Sequence, residues 1–272
     1  MTSGLSSGNV KDSVVNFGDK VLLYFDKKRR WIIRVEKGKV FSCDKGKIEL
    51  DRLVGLIYGS KVKTSANFDV YIMRPLLIDY LERGLKRATQ IIYPKDQGFI
   101  IMLLGVAPGS RVLEIGVGTG STTITLASIV KPTGHVYGYE IREDFIDIAK
   151  KNLSELGLLD YVTIKLKDAR QGVDERDIDA AVVDIGDPWN VLGALYEALK
   201  PSAPVVFFVP SMNQVEKLFN VLTEHGGFID IRCYELLLRE IRLGKESIRP
   251  ANFMVGHTGY IMFARKISRI TT

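Results

Sequence analysis

The sequence predicts an α/β protein: a doubly wound, mostly parallel sheet preceded by a small domain of short strands. Three observations carry this reading. From Arg111 onward, short apolar runs alternate with stretches of helical periodicity, the grammar of a parallel sheet covered on both faces. The first strand–helix junction is a glycine cluster, Glu114-Ile115-Gly116-Val117-Gly118-Thr119-Gly120-Ser121. Between Asp19 and Met73, apolar runs are separated by charged or glycine turns, the pattern of a small β-barrel or sandwich.

Taken in order, residues 1–16 are rich in Ser, Gly and Asn and read as a disordered lead-in. They lack the basic start and apolar block of a secretory signal. Residues 17–73 form the small β domain, with strands expected over 20–25, 31–35, 40–41 and 68–73. Residues 74–92 read as a linking helix, with Pro75 at its start and Leu76, Leu77, Tyr80, Leu81 and Leu85 at helical spacing. The α/β domain fills 93–272. It opens on Tyr93-Pro94-Lys95-Asp96, a loop in which Asp96 is placed to cap the next helix. Strands follow over 112–115, 135–139, 162–166, 180–183 and 205–209. The last two, over 228–239 and 260–265, have no helical pattern between them and imply an antiparallel hairpin at one edge.

At 46% apolar and 26% charged residues, the composition is that of a soluble globular protein. No run approaches the roughly 18 apolar residues of a membrane span. Two cysteines, Cys43 and Cys233, do not make a disulfide framework or a zinc motif. They read as buried thiols in a reducing cytoplasm, with a stapling bridge as the alternative. The three histidines, His135, His225 and His257, lack metal spacing, so no metal is expected. The net charge of +6 is uneven: residues 1–90 hold 18 Lys+Arg against 10 Asp+Glu, and residues 91–272 hold 20 against 22. A polyanion held by the front third fits this excess, as does a merely solvated basic surface.

The chemistry concentrates at strand ends. Glycine in a regular element costs about 0.5–1 kcal/mol relative to Ala, so Gly116, Gly118 and Gly120 call for a tight turn that brings backbone N–H groups to a ligand. A plain turn is the alternative. Glu140 ends the second strand, where a carboxylate accepts both hydroxyls of a ribose. Asp168 follows the third, placed to accept from the amine of an adenine. The dinucleotide spacing fails, because the sixth position from Gly116 is Ser121 and from Gly118 is Thr123. There is no Gly-Lys-Ser/Thr phosphate loop either. Glu114, two residues before Gly116, suits a ligand ammonium. S-adenosylmethionine combines these demands: adenine, ribose, sulfonium, ammonium and one carboxylate. After the fourth strand comes Asp184-Ile185-Gly186-Asp187-Pro188-Trp189, which sets a carboxylate and a flat surface beside the sulfonium. Asp187 has a local task as a cap before Pro188; Asp184 has none.

With these residues placed, the chain resembles the single-polypeptide bacterial and archaeal form of the tRNA adenine-N1 methyltransferase family. The resemblance rests on the segment from Arg87 through Tyr93-Pro94-Lys95-Asp96, the glycine loop, Asp184 to Trp189, Arg249-Pro250 and His257-Thr258-Gly259-Tyr260. It implies a class I, Rossmann-like methyltransferase sheet, an RNA-binding front domain and a cytoplasmic homotetramer. The implied reaction methylates N1 of an adenine in the tRNA T-arm, usually nucleotide 58. Some archaeal relatives also modify nucleotide 57. By the same analogy Gln90, Gly116, Val117, Gly118, Thr119, Gly120, Ser121, Glu140, Asp168, Ala169 and Asp184 hold the cofactor. Tyr93, Asp184 and His257 face the target base, with Tyr93 and Asp184 catalytic. Gly186 departs from the Pro often found in that loop.

Overall fold

The computed structural model of the chain describes residues 13–244 and 247–268. The backbone divides between Leu85 and Lys86 into two compact units. In the first, β1 (Lys20–Tyr24), β2 (Arg30–Arg34), β3 (Val40–Cys43), β4 (Gly46–Glu49), β5 (Lys61–Lys63) and β6 (Asp69–Met73) form two antiparallel sheets. The larger has the order β2-β1-β6-β5; β3 and β4 make a separate hairpin. The alternation in β6 buries Val70 and Ile72 and leaves Asp69, Tyr71 and Met73 outside. These join Val21, Leu23, Val35, Ile48 and Leu53 in one core.

Two expectations are corrected in this unit. The lead-in is ordered before residue 16: Val15 is fully buried and exchanges backbone hydrogen bonds with Gly55 and Leu56. Residues 1–12 lie outside the described residues. The polar composition around Val14 and Val15 masked a short apolar anchor. The linking helix is also shorter than 74–92. Helix α1 (Leu77–Asp79) passes into a π-helical turn, Tyr80–Gly84, and Leu85 is extended. Asp79 turns back to accept from the Leu76 N–H, so it caps the start of this helix.

The second unit contains α2 (Pro94–Leu104), β7 (Arg111–Ile115), α3 (Ser121–Val130), β8 (His135–Glu140), α4 (Glu143–Glu155), β9 (Val162–Leu166), β10 (Ala180–Val183), α5 (Leu192–Ala198), β11 (Pro204–Val209), α6 (Met212–His225), β12 (Phe228–Tyr234), β13 (Ile241–Leu243), β14 (Ile248–Pro250) and β15 (Tyr260–Lys266). Its seven-stranded sheet runs β12-β15-β11-β10-β7-β8-β9. The five strands from β9 to β11 are parallel, and β15 is antiparallel to both neighbours. This is the doubly wound sheet with an antiparallel edge hairpin that the sequence predicts. The strand expected over 228–239 stops at Tyr234, after an irregular register near Asp230, which has φ +55°. The separate β13–β14 ribbon was not foreseen; its residues are exposed and show no burial pattern.

Burial follows from this layering. Strands β10 and β11 are apolar almost throughout because helices cover both faces. Strand order reverses between β7 and β10, which are parallel, and their C-terminal ends open a crevice there.

Candidate active site

Five parallel strands end around one cavity of about 650 Å³, within the range that holds a cofactor-sized ligand. After β7 come Gly116, Val117, Gly118, Thr119 and Ser121; β8 supplies Glu140; Asp168 and Ala169 follow β9; Asp184 follows β10; Pro210 follows β11. Gln90, Tyr93 and His257 line it as well. The sequence therefore names twelve residues that share this wall. Glu114 and Gly120 do not line it.

The glycine turn is shaped by contact as well as by dihedral freedom. At Gly116, φ is +92°, and a Cβ there would lie 2.1 Å from the Asp184 carbonyl oxygen. The β7 turn thus presses directly on the end of β10. Glu140 braces the same turn. Its Oε2 accepts from the Gly118 N–H at 2.8 Å, and its Oε1 accepts from the N–H groups of Ile141 and Arg142.

Three carboxylates converge behind and inside the cavity. Glu114 is buried at 2% exposure with Oε2 unpartnered, and burial pushes its pKa up to about 8, helped by the charges of Asp184 and Glu140. Its expected place beside a ligand ammonium is corrected: it is not among the residues that line the cavity. Asp184 lines the cavity and is exposed to it. Desolvation there raises its pKa to about 6, and Glu140 adds to the effect. Unneutralised negative charge of this kind favours a cationic ligand.

Asp168 is engaged by its own neighbour. The Arg170 side chain donates to both Asp168 oxygens through Nε, and to Oδ2 through Nη2 at 2.7 Å. This pairing holds the Asp168 carboxyl below its usual range. Arg170 Nη1 also donates to Asp187 Oδ2 at 2.9 Å, as does the Asn190 side chain. Asp187 occupies the N-cap position before Pro188, but its side chain makes no capping bond, which corrects the role expected for it. Arg170 competes for that carboxylate.

His257 and Tyr93 differ in what they offer. His257 Nδ1 lies 2.7 Å from Glu235 Oε1 and Nε2 lies 2.9 Å from the Pro210 carbonyl. Both partners only accept, which favours the doubly protonated ring, and Glu235 followed by the Pro210 carbonyl raises its pKa. Neither nitrogen is left to take a proton from a substrate. Tyr93, 41% exposed, presents a free aromatic surface to the cavity.

A family model described as tRNA methyltransferase complex GCD14 subunit matches residues 70–249, and a TrmI-like N-terminal model matches residues 14–62. The chain belongs to the GCD14 family. The relative from Methanocaldococcus jannaschii, tRNA (adenine(57)-N(1)/adenine(58)-N(1))-methyltransferase TrmI, is 34% identical over 90% of this chain and 94% of its own. The Thermus thermophilus tRNA (adenine(58)-N(1))-methyltransferase TrmI is 32% identical over 90% and 96%. Among solved structures, a Thermotoga maritima protein described as a SAM-dependent O-methyltransferase superposes with a TM-score of 0.90 at 39% identity, over 97% of this chain and 98% of that one. The Aquifex aeolicus tRNA (m1A58) methyltransferase TrmI superposes at 0.82 with 31% identity, over 94% and 100%. Membership makes the chain a methyltransferase of Rossmann-like fold.

Several wall residues escaped sequence reasoning. Phe145, Arg170 and Phe208 line the cavity, and Gln97 binds Ser121 and Thr125 behind it. Gln97 lies one turn past Tyr93 on α2, a spacing that could have marked it. The two cysteines are free: Cys43 is half-buried and Cys233 exposed, so Cys233 is not the buried thiol expected. Among the described residues, no cluster of His, Cys, Asp or Glu could hold a metal, and no helix is long and apolar enough to cross a membrane.

Proposed function

We propose that this chain transfers a methyl group from S-adenosylmethionine to N1 of adenine 58 in the T-arm of tRNA. One observation carries the reading: Glu140 and Asp184, chosen as ribose and base acids, open into the same cavity as the glycine turn. The bound cofactor supplies an electrophilic methyl on a sulfonium. Glu140 and Asp168 hold its ribose and adenine, and the turn from Gly116 to Ser121 shapes the bed beneath it. Gln90, Val117, Thr119 and Ala169 complete that bed.

Adenine N1 carries a lone pair at neutral pH, so no base need act before attack. This agrees with a His257 whose nitrogens are both committed. Alignment supplies up to about 7–11 kcal/mol in well-oriented systems. A carboxylate about 4 Å from the positive charge that develops on the base adds roughly 4 kcal/mol at an effective dielectric near 20. Asp184 is assigned that role, and also accepts from the adenine N6 amine. Tyr93 packs against the base. N1 lies on the pairing edge, so the nucleotide must leave its stack at a cost of a few kcal/mol. Phosphate contacts from the basic front unit offset this. The proposal includes a cytoplasmic homotetramer, on the family resemblance; light scattering of the purified chain tests the oligomer.

Incubation with labelled cofactor and unmodified tRNA, followed by nucleotide mapping, decides the matter. Label at N1 of adenine 58 is expected, and mapping also shows whether nucleotide 57 is a second site. Label in a hydroxyl-bearing small molecule, or none in tRNA, would refute the proposal.

A further inference from the structure

Two motifs at the cavity carry more residues than the reaction uses: Lys95 and Asp96 follow Tyr93, and Thr258 follows His257. The structure joins them. Asp96 is fully buried and Lys95 nearly so. Lys95 Nζ donates to Asp96 Oδ1 at 2.7 Å, to Thr258 Oγ1 at 2.7 Å and to the Leu236 carbonyl at 2.8 Å. Thr258 Oγ1 in turn donates to Asp96 Oδ2 at 2.8 Å. The ring is closed, and all three ammonium protons are placed.

We infer that Lys95, Asp96 and Thr258 are positioning residues that set Tyr93 and His257 in fixed register across the base pocket. This rests on the proposed tRNA methylation. Lys95, Asp96 and Thr258 each lie at or within three residues of a wall residue. Lys95 and Asp96 sit at the start of α2, directly after Tyr93. Thr258 adjoins His257, and Leu236 adjoins Glu235, which grips the His257 ring. Three segments distant in sequence therefore meet at one ammonium group. Apolar packing would hold them as firmly, but in some proteins buried polar groups are kept because they fix register. Directional bonds to three acceptors define one arrangement. Gly259 keeps the last segment close, because a Cβ there would lie 2.3 Å from Phe208 Cζ, and Phe208 lines the cavity.

The test compares Thr258→Val with Thr258→Ser in the full chain. Valine keeps the volume and leaves the Lys95–Asp96 pair intact, but removes the bridging hydroxyl. Methyl transfer to tRNA is expected to fall in kcat by about 10–100-fold, as for a sub-ångström misplacement of reacting groups. Cofactor affinity by equilibrium binding should stay within about twofold, since the glycine turn and Glu140 are not touched. Serine should restore kcat. An NMR titration of His257 without tRNA gives a readout independent of turnover. Its midpoint should move toward the ordinary imidazole value in the valine variant and return with serine. Should valine fail to fold, Thr258→Ala takes its place. Wild-type kcat in the valine variant, a parallel loss of cofactor affinity, or no rescue by serine would overturn the inference. If the wild-type chain methylates no tRNA, the proposed function falls. The ring is then judged on the His257 titration and cofactor affinity, and an unmoved titration overturns it.

Discussion

Replacing Gly116 by Ala tests whether the contact between the β7 turn and the end of β10 sets the reaction geometry. The new Cβ would lie 2.1 Å from the Asp184 carbonyl oxygen, 2.8 Å from its carbon and 2.9 Å from Ile185 Cγ2, whereas ordinary contact begins near 3.4 Å. The neighbouring backbone cannot yield freely. The Asp184 N–H donates to the Ile115 carbonyl at 2.8 Å, and the Gly116 N–H to that of Tyr139 at 2.9 Å. Left-handed backbone at φ +92° adds about 1–2 kcal/mol for any residue with a Cβ. Loosening one or two of those hydrogen bonds adds about 1 kcal/mol each. The expected destabilisation of about 3 kcal/mol lowers Tm by roughly 6–12 °C for a unit of this size. Asp184 is carried with the displaced backbone by about 1 Å, and such a shift costs on the order of 100-fold in rate. Calorimetry and single-turnover methyl transfer measure the two effects. Gly186→Ala is the control, since a Cβ there meets nothing within 4 Å. If Gly116→Ala matches that control in both Tm and rate, the reasoning fails.

Other outcomes follow from the charges. Asp184 acts ionised, and its pKa is raised to about 6, so kcat/KM should fall as pH drops through about 6. Asp184→Asn should abolish that limb and most of the turnover while retaining cofactor binding; a pH profile superposable on wild type would remove Asp184 from the mechanism. Glu114 has its folded pKa raised from 4.5 to about 8, so the native state holds the proton more tightly. The stability it contributes is complete below pH 4.5 and is lost as pH rises through 8, with an upper limit of about 5 kcal/mol. Glu114→Gln should flatten denaturation midpoints across that window, and an unchanged slope would contradict it. Binding of tRNA should weaken steeply with salt, as phosphate neutralisation requires. A flat plot of log K against log salt would exclude a phosphate-binding role for residues 1–90.

The sequence alone determined which segments form the main sheet and which acids stand at their ends. Strand alternation and turn chemistry are local properties, and a parallel sheet leaves few ways to connect such a series. Gly116, Glu140, Asp168 and Asp184 were therefore legible as members of one crevice. Competition among neighbours was decided only in the folded chain. Asp96 and Asp187 each precede or open a helix, the setting of a cap, yet Asp96 is spent on Lys95 and Thr258, and Asp187 on Arg170 and Asn190. Glu114 reads as a ligand-facing acid, but it is buried and does not line the cavity. His257 reads as a base-facing group and does line the cavity, but its two ring nitrogens take acceptors 22 and 47 residues away. Local pattern specifies where a polar group stands, because backbone geometry repeats along the chain. Which partner that group takes depends on distances between segments remote in sequence, and tertiary packing sets those.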